Sequence, residues 1–171
     1  RIRFFNHEEL GCDLVENRGT ALRLSNDEII RLKTVVKGHM RPTHLARLEK
    51  EPSLRSIYRF FRATGESGID ICLLSLADLL ATYGPTIPEE RWNKQLQVVT
   101  KLMDAWWRDP EKTIKPRSII RGGDILIEFN LEPGPIIGKL LEMVREEQVV
   151  GNINTRQDAI QYVRKVLGEV S

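Results

Sequence analysis

Apolar residues recur at three- and four-residue spacing along most of the chain, and no stretch alternates convincingly with period two. The pattern predicts a first helix from about Asn6, with Asn6 as its cap and Glu8 and Glu9 in its first turn. A second helix is predicted from Ser25 to about Gly38. Ser25 and Glu28 have the spacing of a capping box, Ile29, Leu32 and Val36 form the buried stripe, and Pro42 stops any extension. A short helix follows Thr43, and another runs from Ser53 to Gly65. The segment 67–83 is apolar nearly all round, which predicts a helix buried at the centre of a bundle, ended by Gly84-Pro85. A long helix spans about Glu89 to Arg108, limited by Pro110. A short segment from Gly123 to Phe129 precedes two final helices, about 135–149 and 155–168, with Thr155 and Asp158 at capping-box spacing. The expectation is an all-α multi-helix bundle of about eight helices, divided near residues 84–88 into 1–84 and 85–171.

The stretch NLEPGPIIGKLLEMV, residues 130–144, concentrates two prolines and two glycines at one helix entrance. Pro135 suits a first helical position, where its missing N–H costs nothing. Gly134 is expected to supply unusual turn dihedrals, and Gly138 to leave a bare face for close backbone approach.

Composition adds little to the fold and more to the setting. The chain has 171 residues, 41% hydrophobic and 29% charged, as in soluble globular proteins. No run approaches the roughly 20 apolar residues that span a bilayer. Beginning at Arg1, the chain reads as a piece of a longer protein. Cys12 and Cys72 make no disulfide framework, so a reduced, cytoplasmic setting is expected. Net charge is +2, but it is patchy: residues 111–121 carry Lys112, Lys115, Arg117 and Arg121 against Glu111 alone. Such patches fit either a local polyanion contact or an ordinary mixed surface.

Three groups of residues bear on chemistry. Asp78 lies inside the most apolar helix, where a carboxylate needs a hydrogen-bonding partner, a metal or water. His7 and His39 are ligand types for a divalent metal, or else a first-turn surface residue and a helix C-terminal cation. Arg55, Arg59 and Arg62 fall at i, i+4, i+7 on one helix face, suited to phosphates or to pairing with acids such as Glu66 or Asp70. Arg117 and Arg121 extend the basic connector. The tandem Trp106 and Trp107 can stack bases or wedge two halves of the chain apart, with the wedge favoured. No phosphate-binding glycine loop, Ser/His/Asp order or paired-cysteine metal site occurs, so no autonomous catalytic centre is visible.

The segments IRFFNHEELGCDL, VVKGHMRP and IYRFFRATGESGIDICLLSLADLLA, and then GGDILIEFNLEPGPIIGKLLEMVREEQVVGNINTRQDAIQYV, carry a resemblance over nearly the whole chain. It resembles the C-terminal portion of bacterial tRNA nucleotidyltransferase/poly(A) polymerase family proteins that carry an HD-type domain. The resemblance implies an HD-like helical body followed by a helical tail, both contacting tRNA or another RNA 3′ end. It implies a separate N-terminal nucleotidyltransferase head that uses Mg2+ with ATP and CTP. The chain itself is expected to need no cofactor and to bind RNA through Arg55, Arg59, Arg62, Arg117 and Arg121. The resemblance also places His7, His39 and Asp78 at later positions of an HD metal site whose His-Asp pair lies upstream. The alternative function is a metal-dependent HD phosphohydrolase. A third reading is a helical module that forms a homodimer.

Overall fold

The structure, a computed structural model, describes residues 7–48 and 50–170, with side chains as far as Gly168. Asn6, the expected cap of the first helix, lies outside the described residues. Among the described residues the secondary structure is helical throughout, as the hydrophobic spacing predicts. The helices are α1 (His7–Ala21), α2 (Asn26–Gly38), α3 (Met40–Ala46), α4 (Leu54–Thr64), α5 (Ser67–Tyr83), α6 (Glu89–Arg108), α7 (Pro110–Thr113), α8 (Gly122–Phe129), α9 (Pro135–Val149) and α10 (Arg156–Val170).

Local signals set these boundaries. Ser25 and Glu28 form the expected capping box at the start of α2, each satisfying the other's backbone N–H. Thr155 and Asp158 do the same for α10, at 3.1 and 2.9 Å. Gly84 at φ +53 ends α5, and Gly151 at φ +84 ends α9, where Asn152 N–H donates to the Glu147 carbonyl. α2 ends at Gly38, as expected, but the short helix expected after Thr43 already begins at Met40. Pro42 sits in the first turn of α3, where the missing N–H has no intrahelical partner to lose, and it is fully buried.

The chain divides into two compact units: Arg1–Pro52 with Arg59–Asp104, and Ser53–Tyr58 with Ala105–Ser171. The division is not the single one expected near 84–88. The chain passes between units inside α4 and again inside α6.

In the first unit α1 packs on α2, and α2 and α3 pack on α5. α2 approaches α5 closely at Gly38, where an added Cβ would lie 2.5 Å from Ile71 Cδ1. The expected stripe of α2 is corrected at Leu32, which is 42% exposed. α5 is also less enclosed than its composition predicts. Ile71, Cys72, Ser75 and Leu79 are buried, whereas Leu73 and Leu80 are about half exposed. Ser75 accepts a buried hydrogen bond from Gln95 Nε2 at 3.0 Å, which joins α5 to α6 within this unit. Burial pushes the Cys72 thiol up to about 12, so it stays protonated and acts as a small apolar group. The expectation that no segment is long and apolar enough to cross a membrane is overturned. Ser67–Thr86, 20 residues, meets that length and composition. A central bundle helix needs the same composition, and α5 buries one face in its unit.

In the second unit α9 packs on α8 and α10. Its core contains Ile120, Ile125, Ile137, Leu140, Val144, Ile153, Ala159 and Val163. Asp124–Arg156 at 3.0 Å and Glu128–Arg164 at 2.9 Å link α8 to α10 at the surface. The PGP entrance is simpler than its composition suggests. Gly134 is fully extended at φ −175 and ψ 176, a conformation open to any residue. Gly138 is exposed, and a Cβ there would meet nothing within 4 Å. The close approach lies instead at Gly122, whose Cβ would stand 3.2 Å from Ile137 Cγ2.

Candidate nucleic-acid interface

The arginines of the α4 row fall in different units. Arg55 belongs to the second unit, Arg59 and Arg62 to the first. The Arg55 guanidinium is ion-paired with Glu147, and Glu146 lies 3.9 Å from its Nε. Both glutamates come from α9 and are largely buried. Three residues on, the Tyr58 hydroxyl donates to Glu142 Oε1 at 2.7 Å, and Arg145 stands 3.4 Å from the other oxygen of that carboxylate. The acidic character of α9 therefore serves the start of α4, and Arg55 is a packing and pairing residue. Its acceptors are neither Glu66 nor Asp70. Asp70 instead holds Arg31 at 2.7 Å. Arg59 and Arg62 are exposed.

The basic connector is built differently. α7 and the segment 114–121 are anchored from beneath by Ile114 and Ile120, 6% and 1% exposed. Thr113 Oγ1 donates to the carbonyls of Ala105 and Asp109 at 3.2 and 2.8 Å, which folds the connector back onto the end of α6. Gln148 Nε2 donates to the Arg117 carbonyl at 2.8 Å, fixing the middle of the connector to α9. With the backbone held at these points, Lys112, Lys115, Arg117 and Arg121 project to solvent. Arg117 is 88% exposed, and its pair with Glu111 at 3.5 Å is open to water on both sides. Arg121 caps α8 through its backbone: its N–H donates to Asp124 Oδ2 at 2.7 Å. That bond, with the Arg156 guanidinium beside it, holds the Asp124 carboxyl below its usual range. Backbone and hydroxyl donors around Asp158 do the same there.

Lys115 Nζ lies over the Trp106 ring, 5.7 Å from its centroid. Trp107 is 71% exposed.

The histidines come together without the aspartate. The Nε2 atoms of His7 and His39 are 3.3 Å apart, with the rings edge to face. His39 Nδ1–H donates to the Val36 carbonyl at 2.6 Å. Asp78 is exposed on α5, so water meets its charge and no buried partner is required. Among the described residues no group of three His, Cys, Asp or Glu side chains is placed to hold a metal. The described residues thus do not fit the metal centre that the HD resemblance implies.

Sequence spacing missed Glu142, Glu146 and Glu147 as the acceptors of α4. Their one visible signal was the run of acids in an otherwise apolar helix.

Comparison with known proteins places these features. The family profile described as tRNA nucleotidyltransferase domain 2 matches residues 20–163. The CC-adding tRNA nucleotidyltransferase of Thermus thermophilus is 27% identical over 93% of this chain and 33% of its own length. The A-adding tRNA nucleotidyltransferase of Deinococcus radiodurans is 26% identical over 96% of this chain and 36% of its own. A CCA-adding enzyme of Streptococcus mutans is 40% identical over 30% of the chain and 13% of its own length. The chain therefore spans about a third of the length of the first two relatives. No solved structure matches. With an all-α architecture and a profile match over most of its length, the chain belongs to the tRNA nucleotidyltransferase family, as the domain 2 region of such a protein.

Proposed function

We propose that this region binds RNA, with tRNA as the natural ligand, and does not itself catalyse nucleotide transfer. The observation that carries the proposal is the connector 111–121, whose backbone is pinned while its four cations face water. Cations fixed on an anchored backbone can meet phosphates without first ordering a loop. The Arg117–Glu111 pair does not obstruct this, because a pair so exposed contributes only about 0–1 kcal/mol. Arg117 and Arg121, with Lys112 and Lys115, are the contacts proposed in the second unit, and Arg59 and Arg62 those in the first. In the parent protein the transfer chemistry would belong to a separate nucleotidyltransferase head using Mg2+ with ATP or CTP. The setting proposed is the cytoplasm.

The test is a titration of tRNA with this chain across a salt series, with duplex DNA of equal length as comparator. Binding should prefer tRNA and fall steeply with salt, with a logarithmic slope near −0.7 to −0.9 per phosphate contacted. Replacing Lys112, Arg117 and Arg121 by glutamine should make that slope shallower by about 2–3. Absence of tRNA binding at low salt, or an unchanged slope in the triple variant, would overturn the proposal. The phosphohydrolase alternative requires a metal site; Glu8 Oε2 lies 3.6 Å from His7 Nδ1, but among the described residues no group of three His, Cys, Asp or Glu side chains is placed to hold a metal.

A further inference from the structure

We propose that Trp107 is a stacking platform for an unpaired nucleobase of the bound RNA, set beside the connector's cations. The inference rests on the RNA-binding reading above and adds a ligand chemistry to it: single-stranded or looped RNA rather than a uniform duplex. Single exposed apolar residues are common on protein surfaces and need no explanation by themselves. Trp107 differs in its surroundings. It is 71% exposed at the C-terminal end of a 20-residue helix, so its backbone is held while its ring faces water. The adjacent Trp106 is covered by Lys115, whose Nζ lies 5.7 Å from the ring centroid. Thr113 fastens the connector to the Ala105 carbonyl, two residues before Trp107. The tether puts Lys112 and Lys115 near the helix end that displays the indole. Asp109 and Glu111 are the acids in the same stretch, and Glu111 is engaged by Arg117.

This juxtaposition matches the chemistry of an unpaired nucleotide. The base offers a flat π-face, and its flanking phosphates offer negative charge a few ångströms away. Proteins that hold single strands combine the same two elements, aromatic faces for bases and cations for backbone. A fully paired duplex presents phosphates but keeps its base faces stacked inside, so it can use the cations and not the ring.

The experiment compares the full chain with the variants W107A and W107F on two RNAs of equal charge, a hairpin with an unpaired loop and a blunt duplex. Stacking on one aromatic ring changes affinity by about 5- to 150-fold when the ring is removed. W107A should therefore weaken hairpin binding by at least about 5-fold and leave duplex binding unchanged, and W107F should retain most of the hairpin affinity. Hairpin binding should also quench tryptophan emission in the native chain more than in W107F, where Trp92 and Trp106 remain. Far-ultraviolet dichroism should be the same in all three proteins, because an exposed ring supports no packing. Wild-type hairpin affinity in W107A, or an equal loss on both RNAs, would overturn the stacking proposal and leave the cation contacts standing. Failure of the unaltered chain to bind either RNA would remove the RNA-binding reading and this inference with it.

Discussion

Gly138→Ala is the most informative single change in the second unit. The sequence suggests a glycine kept bare for close backbone packing, and on that view alanine should loosen α9. The structure reverses the sign. Gly138 is the fourth residue of α9, exposed, with nothing within 4 Å of an added Cβ. Alanine there removes the backbone freedom that glycine must lose on folding, a gain of about 0.5–1 kcal/mol. For a chain of this length that corresponds to a rise of about 1–4 °C in melting temperature. Gly68→Ala in the first unit supplies the contrast. Its Cβ would lie 2.7 and 2.8 Å from Phe61 ring atoms and 2.9 Å from Thr64 Oγ1, both residues being buried. Overpacking of that kind costs about 1–3 kcal/mol, which exceeds the propensity gain. Urea unfolding should be followed by dichroism and by tryptophan emission, because the two units need not melt together. A destabilised Gly138→Ala protein would refute the reasoning, since it would mean that a neighbour occupies the space the structure leaves open.

Arg55→Ala should lower the stability of the second unit by about 1–2 kcal/mol, by leaving the Glu147 carboxylate without its cation, and should leave the salt dependence of RNA binding unchanged. A shallower salt slope would return Arg55 to the phosphate-binding set. Asp124 and Asp158 have folded-state pKa values below their ordinary 3.8, so their stabilisation is complete above that value and lost as pH falls through the lower, folded value. Thermal melts between about pH 6 and about pH 2 should show the loss, and the double variant D124N/D158N should be measurably flatter over that acid range. Arg23→Gly should raise stability by about 0.5–1 kcal/mol, because Arg23 holds φ +57 in the turn between α1 and α2, where a side chain is strained. An unchanged urea midpoint would count against strain at that residue.

The helices were legible in the sequence because their signals are local. Ser25 with Glu28, Thr155 with Asp158, Pro135 and Gly84 each act within a few residues, and their elements stand where spacing puts them. The pairings were not legible. Arg55 and Glu147 are 92 residues apart, and helical spacing can show only that three arginines share a face, not which of them meets a carboxylate from elsewhere. Burial was half legible. The composition of α5 says that much of it prefers to leave water, but Leu73 and Asp78 are placed by tertiary packing, and there the prediction of a fully enclosed helix failed. The glycines of 130–144 misled for a related reason. A glycine marks permission for close approach, and only the neighbours show whether the permission is used.

The interleaving of the two units has a consequence for how the protein can be made and inherited. The first unit is incomplete until residue 104 has left the ribosome, and the second must wait for 105–171 although six of its residues, 53–58, emerge much earlier. During that interval Arg55 and Tyr58 have been synthesised but their glutamate partners on α9 have not. A gene break at the apparent proline-glycine seam near 84–88 would yield two fragments, neither encoding a whole unit. Recombination at that seam should be selected against, and the two units should travel through evolution as one genetic piece.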